Sequence, residues 1–174
     1  LKRMRRQITQ QQTENLILEA RKRVPGIHIR TTFLVGFPGE TEEEFGELCD
    51  FVERMRFDRV GVFQYSHEEN TIAYDYPDDI DPEVKVDRAN RLMAIQQGIS
   101  YDHNQDLVGQ ELRVLFDRKE GGHYVGRTEG DSPEVDNEVL VDAKEHYLRV
   151  GDFATIKITE ATEYDLMGEL VLPS

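Results

Sequence analysis

Between Thr31 and Glu44 the chain reads Thr-Thr-Phe-Leu-Val-Gly-Phe-Pro-Gly-Glu-Thr-Glu-Glu-Glu, and few folds accept that order of residues. Ile29, Thr31, Phe33 and Val35 alternate with Arg30, Thr32 and Leu34, the pattern of a strand, read here as a buried one. Gly36 and Gly39 reach backbone angles closed to other residues, and Pro38 presets a turn dihedral. Thr41 with Glu44 three places on is a capping box, and Glu42 and Glu43 sit where a helix dipole favours anions. The stretch is therefore a strand, a tight loop and a helix, half of a repeating β/α unit. In such folds ligands gather at the loops after the carboxyl ends of strands. The same residues would also serve as a well-made connector with no ligand.

The flanking sequence extends the alternation. Leu1 to Arg6 carries four basic residues and reads as a solvated approach to a helix. Thr9 and Gln12 cap that helix, Ile17, Ala20 and Val24 share one face of it, and Pro25-Gly26 ends it. The helix from Glu42 to about Arg56 aligns Phe45, Leu48, Cys49, Val52 and Met55, which makes Cys49 a small core residue rather than a reactive thiol. A second strand runs from Arg59 to Ser66, and a long polar loop covers His67 to Asp81. Asp81 and Pro82 open a helix that carries Ala89, Leu92, Met93 and Ile99 inward and ends near Asn104. Helix, strand, helix, strand, helix is the order of a parallel α/β sheet or part of a β/α barrel.

After Asp106 the period changes. Short strands are expected at Leu112–Phe116, His123–Arg127, Val139–Asp142, Phe153–Ile158 and Leu166–Leu172, between glycine-rich or acidic turns. That spacing predicts a small five-stranded antiparallel β-barrel of the OB type. The division is thus 1–104, α/β, and 105–174, all-β. OB-like barrels usually bind nucleic acid through basic and aromatic faces. Here Arg127, Lys157, Tyr124 and Tyr147 are too sparse to form one. Charge points the same way: Asp106 to Ser174 holds 16 acidic and 7 basic residues, a balance of −9, within a total of −14. Such a surface repels phosphate backbones and attracts basic partners, or simply keeps the chain soluble.

Several chemistries are not supported by the residues. His28, His67, His103, His123 and His146 lack metal-ligand spacing, and no nucleophile elbow, Walker loop or dinucleotide fingerprint occurs. Glu68–Glu69 and Asp78–Asp79 read as solvated loop charges. One cysteine, Cys49, allows neither an internal disulfide nor a cysteine-ligated cluster held by this chain alone. A reducing cytoplasm is the expected location. No apolar run is long enough to span a bilayer, no secretory signal opens the chain, and a start at Leu1 suggests a piece of something longer.

Three stretches, Leu1-Lys-Arg-Met-Arg-Arg6, Arg30 to Phe45 and Phe57-Asp-Arg-Val-Gly-Val-Phe-Gln-Tyr-Ser66, resemble the radical S-adenosylmethionine methylthiotransferases. The resemblance runs the length of the chain. It is nearest to the RimO type, on Arg59-Val-Gly-Val-Phe63, Glu68-Glu-Asn-Thr71, Gly126-Arg-Thr128, Asp131 to Asp136 and Glu163-Tyr-Asp-Leu166. Asn70 stands where the family usually has glycine, and asparagine tolerates a left-handed backbone. The resemblance implies a fold: the C-terminal part of a partial β/α barrel followed by a small β-barrel, the TRAM domain. It implies a function for the parent enzyme, addition of a methylthio group to the β-carbon of an aspartate in a small-subunit ribosomal protein. It also implies S-adenosylmethionine and two 4Fe-4S clusters as cofactors, whose six cysteines are absent here, so that this chain is expected to be inactive alone.

By the same resemblance Thr32, Leu34, Gly36, Phe63 and Tyr65 would hold the nucleoside of S-adenosylmethionine. Leu34 would pack on adenine, Gly36 would let the ligand approach, and strand-end amides would bond the base edge. Arg127, Thr128, Asp131, Glu134 and Asp136 would dock the basic ribosomal protein. Two other readings stay open: a transfer-RNA adenosine methylthiotransferase with an RNA-binding TRAM domain, and a non-enzymatic binding barrel.

Overall fold

The structure, a computed structural model, describes residues 2–67, 77–131 and 137–173, the first seven by backbone alone. Its elements are α1 (Lys2–Arg23), β1 (Arg30–Val35), α2 (Glu42–Met55), β2 (Arg59–Gln64), α3 (Pro82–Leu107), β3 (Glu111–Glu120), β4 (His123–Arg127), β5 (Glu138–Asp142), β6 (Phe153–Ala161) and β7 (Asp165–Leu170). They form two compact units, Leu1–Gln96 and Gln97–Ser174, with the division falling inside α3.

In the first unit β1 and β2 pair in parallel, Arg30 opposite Arg59 through Val35 opposite Gln64. Parallel neighbours need a crossover, and α2 supplies it. The capping box forms as expected, with Thr41 extended and its hydroxyl accepting from the Glu44 amide at 3.1 Å. At its other end Arg56 takes a left-handed backbone, φ 49°, and donates its amide to the Val52 carbonyl. The Arg21 guanidinium caps the Arg56 carbonyl at 3.1 Å. Phe45, Phe51, Val52 and Met55 of α2 are buried, and Phe33, Phe51 and Phe57 meet as a ring trio with centroids 5.8–6.4 Å apart. Cys49 and Leu48 stay half-buried at the edge of this core.

Three local expectations change. α1 begins at Lys2 and runs through Thr9, because Lys, Arg, Met and Gln are all good helix formers. Thr9 therefore lies inside the helix rather than at its start, and its carbonyl accepts from the Thr13 hydroxyl one turn on. Val24 lies in the turn beyond α1 and is exposed, leaving Ile17 as the buried residue of that face. On α3, Ala89, Leu92 and Ile99 are buried, but Met93 is exposed, since one residue beyond Leu92 turns the side chain about 100° round the helix. α3 starts at the Asp81 cap as expected, the Asp81 carboxylate accepting from the Glu83 amide at 2.8 Å, and ends three residues beyond Asn104.

The second unit is a closed barrel with strand order β3-β4-β5-β7-β6. Its core is made by Val114, Phe116, Val139, Val141, Ile156, Ile158 and Leu166, all at or near zero exposure. Tyr124 is part of that core, edge-on to Phe116. All strand pairs are antiparallel except β5 with β7, which is parallel. The expected wholly antiparallel barrel is corrected on this point, and the reason is parity. Directions that alternate around a ring return to the start only for an even number of strands, so a closed ring of five must contain a parallel pair.

Candidate functional site

The β1 strand is buried on one face only. Thr31 and Phe33 are half-buried and Val35 wholly buried, with Phe33 edge-on to Phe51 of α2, while Arg30, Thr32 and Leu34 are exposed on the other face. The register sets Thr32 beside Gly61 and Leu34 beside Phe63. Leu34 is 49% exposed and Phe63 62%, so two large apolar side chains stand together on an open surface at the carboxyl end of the sheet. Gly61 keeps the neighbouring position low, and a Cβ there would only touch the Thr32 side chain at 3.5 Å.

Beyond Val35 the chain turns sharply. Gly36 has φ +77°, and the reason for glycine lies on the α3 side, where a Cβ would fall 2.4 Å from Lys85 Cγ. The Gly36 amide is also engaged, donating to Glu40 Oε1 at 3.0 Å. Gly36 thus accommodates Lys85, and its N–H is not a free donor for a base edge. Tyr65 departs in the same direction. It is 8% exposed, its ring faces Phe37 with centroids 5.4 Å apart, and its phenol meets His67 Nδ1 at 3.2 Å. Among the nucleoside candidates, Thr32, Leu34 and Phe63 come together on the open face. Gly36 and Tyr65 follow the last residues of β1 and β2, Gly36 against Lys85 and Tyr65 buried against Phe37.

The sequence reading missed what fixes this loop. α3 presents Lys85, Arg88 and Arg91 at intervals of three, all aimed at the β1–α2 connection and its neighbours. Lys85 donates to both Asp78 oxygens at 2.8 and 2.9 Å, and to the Tyr65 carbonyl. Arg88, almost wholly buried, pairs with Glu40 at 2.7 Å and bonds the Glu40 carbonyl at 3.2 Å. Arg91 holds Glu42 at 2.6 Å, an ion pair that draws the Glu42 carboxyl below its ordinary range. Asp79 accepts from the Gly39 amide at 2.9 Å. Asp78 and Asp79, expected to be solvated, are therefore bonded parts of the loop; Glu68, Glu69 and Asn70 lie outside the described residues. The signal was present in the basic residues at 85, 88 and 91, but their partners lie over 40 positions away for Arg88 and Arg91.

Among the barrel candidates, Arg127 pairs with Asp117 at 3.3 Å, and Thr128 donates its hydroxyl to Asp131 at 2.8 Å across a tight turn. Glu134 and Asp136 lie outside the described residues. Arg118, not singled out from sequence, bridges Glu120 and Glu138, and both carboxylates raise its pKa further above the usual range. Burial pushes the Asp165 carboxyl up, with Glu138 and Glu163 adding repulsion. Among the described residues no three His, Cys, Asp or Glu side chains converge to hold a metal, and no helix is long and apolar enough to cross a membrane. Burial also raises the Cys49 thiol pKa, which suits a structural cysteine rather than a metal-ligating thiolate.

The closed five-stranded barrel is a TRAM domain, since the TRAM domain family matches residues 108–171. The chain is 57% identical, over 98% of its length, to a protein of Cytophaga hutchinsonii named ribosomal protein uS12 methylthiotransferase RimO. Relatives of the same name from Flavobacterium johnsoniae and Bacteroides fragilis are 58% and 51% identical over 97% and 98% of it. The chain belongs to the RimO-type methylthiotransferase family, and it spans about 39% of the length of these relatives.

Proposed function

We propose that this chain is the C-terminal portion of a radical S-adenosylmethionine enzyme of the bacterial cytoplasm. The parent would add a methylthio group to the β-carbon of an aspartate in ribosomal protein uS12. The observation that carries the reading is identity of 51–58% sustained across both units to proteins of that name. S-adenosylmethionine and two 4Fe-4S clusters would supply the radical chemistry. The clusters do not fit this chain, which has a single cysteine, half-buried on α2. The chain alone is therefore inactive in this reading.

The nucleoside does fit the open face of β1 and β2. Leu34 and Phe63 offer a flat apolar surface, and Thr32 places a hydroxyl at its edge. Leu34 and Phe63 are already about half covered, so completing their burial contributes about 1–2 kcal/mol each. Gly36 and Tyr65 would complete the nucleoside site at the strand ends, Gly36 through the loop that it shapes around Lys85. The division of labour proposed for the chain is residues 1–104 for the cofactor face and 105–174 for substrate docking, through Arg127, Thr128, Asp131, Glu134 and Asp136.

The barrel's balance of −9 favours a basic protein over an RNA backbone as the docked partner. The test measures binding of the 174-residue chain to uS12, to a transfer-RNA anticodon stem-loop and to an unrelated basic protein, at two salt concentrations. The proposal requires uS12 to win over both, with a salt dependence set by a screening length of about 10 Å at 0.1 M. It also requires Asp131→Lys to weaken the uS12 complex selectively. Preference for the stem-loop would move the parent to the transfer-RNA class, and equal binding of both basic proteins would reduce the acidic face to a solubility device.

A further inference from the structure

The outer surface of the barrel carries a groove of about 580 Å³, lined by Glu111 and Arg113 of β3, Phe153 and Thr155 of β6, and the segment from Leu170 to Pro173 that leaves β7. Its apolar surface is uncovered: Phe153 is 56% exposed and Leu172 75%. The Arg113 guanidinium lies over the Phe153 ring at 4.2 Å. Of the barrel's arginines, Arg118, Arg127 and Arg149 each have a carboxylate within ion-pair distance. Arg113 has none among the described residues.

Those facts restrict the occupant. A guanidinium stacked on a ring keeps its edge N–H donors pointing outward, where they suit a carbonyl oxygen. Residues 106–174 carry a net charge of −9, and a surface of that sign opposes a run of phosphates. The exposed ring and the leucine beside it instead fit the apolar anchor of a polypeptide, surrounded by an acidic rim that suits basic neighbours. The register joins this groove to the 127–131 turn, because Leu115 pairs with Arg127 on one side and with Phe153 on the other. Two strand spacings separate Arg127 from Phe153, about 10 Å, which an extended segment covers in roughly three residues.

We infer that the groove receives an extended segment of a basic polypeptide, with one large apolar side chain against Phe153 and Leu172 and a main-chain carbonyl accepting from Arg113. The inference rests on the docking reading above and adds the element that selects among basic partners.

The test uses the whole chain, with uS12 and two synthetic Lys/Arg-rich peptides that differ only in a central Phe or Ala. The Phe peptide should bind about tenfold more tightly, and Phe153→Ala or Leu172→Ser should each remove most of that advantage while leaving the Ala peptide unchanged. Arg113→Gln should weaken both peptides, whereas Asp131→Lys should weaken both and steepen neither preference. Leu172 lies beyond the last strand, so its variant tests the groove even if Phe153→Ala disturbs the barrel, which amide proton spectra would reveal. Equal affinity for the two peptides would overturn the inference, as would a preference for an RNA stem-loop that depends on Phe153. If uS12 wins over an unrelated basic protein but ignores both Phe153 and Leu172, the groove fails and the docking reading stands. If no basic ligand is preferred, both fail.

Discussion

Gly36 and Gly26 have nearly the same backbone, φ +77° and +80°, but different surroundings. A Cβ at Gly26 would meet nothing within 4 Å, whereas at Gly36 it would lie 2.4 Å from Lys85 Cγ and 3.0 Å from Cδ. Gly26→Ala should therefore cost only the left-handed penalty, about 1–2 kcal/mol. Gly36→Ala carries the same penalty and also forces the stem of Lys85 aside. That displacement breaks the 2.8 Å pair with Asp78 and the bond to the Tyr65 carbonyl inside a buried site. Loss of hydrogen bonds to a charged group adds about 1.5–3 kcal/mol, so the total is about 2.5–5 kcal/mol. Native-state hydrogen exchange at the Tyr65 amide, which donates to the Val35 carbonyl, reads the first unit without assuming that the chain unfolds as one. In a Lys85→Ala background most of the difference between the two glycine substitutions should disappear, because Cγ and Cδ are gone and only the residue-85 Cβ at 3.2 Å remains. Equal costs in the presence of Lys85 would refute the account of why glycine is needed at 36.

Other perturbations test the remaining parts. Arg88→Met leaves the Glu40 carboxylate buried without its ion pair and should destabilise the first unit by about 3–5 kcal/mol in urea unfolding, with partial recovery on adding Glu40→Gln. Gly168→Ala would set a Cβ 2.4 Å from Ile156 and 2.7 Å from the Lys157 carbonyl, so barrel stability should fall by about 1–3 kcal/mol or more, whereas Gly46→Ala on α2, with open space around it, should gain about 0.5–1 kcal/mol. Asp165 has a folded pKa raised above its ordinary 3.8, so its charged form is the disfavoured one, and its stabilising share is present below the unfolded pKa and lost as pH rises through the folded pKa. Asp165→Asn should then raise the barrel's urea midpoint at pH 7 and leave it unchanged near pH 3.

The elements that periodicity controls were readable. β4 and the start of α2 fall at the expected residues because alternation, turn glycines and a capping box are all local signals. The fold class was legible for the same reason, since the change of period after Asp106 marks where the helices end and the strands of the barrel begin. Local pattern said less about which face of β1 is covered. Thr31 and Phe33 look no more buried in sequence than Thr32 and Leu34, and only the packing of α2 against one side distinguishes them. Gly36 shows the limit most clearly. Its conformation followed from sequence, but its neighbour Lys85 comes from a helix 49 positions away, and the reason for glycine is that neighbour.

The charges of the barrel separate two kinds of residue that composition cannot. Arg118 is tied to Glu120 and Glu138, so it stabilises strand neighbours rather than reaching for a partner. Exposed Glu129, Glu145, Glu160 and Glu169 have no basic side chain within 4 Å among the described residues. The attraction for a basic partner therefore comes from glutamates spread over the barrel, a diffuse field that speeds encounter and falls with salt. Such a field cannot choose between two basic proteins of similar charge. Choice needs a local contact that one partner satisfies and the other does not, and the exposed Phe153 with the Arg113 guanidinium over its ring is a surface with that property. In this proposal, acidity brings the partner in and the groove determines which partner stays.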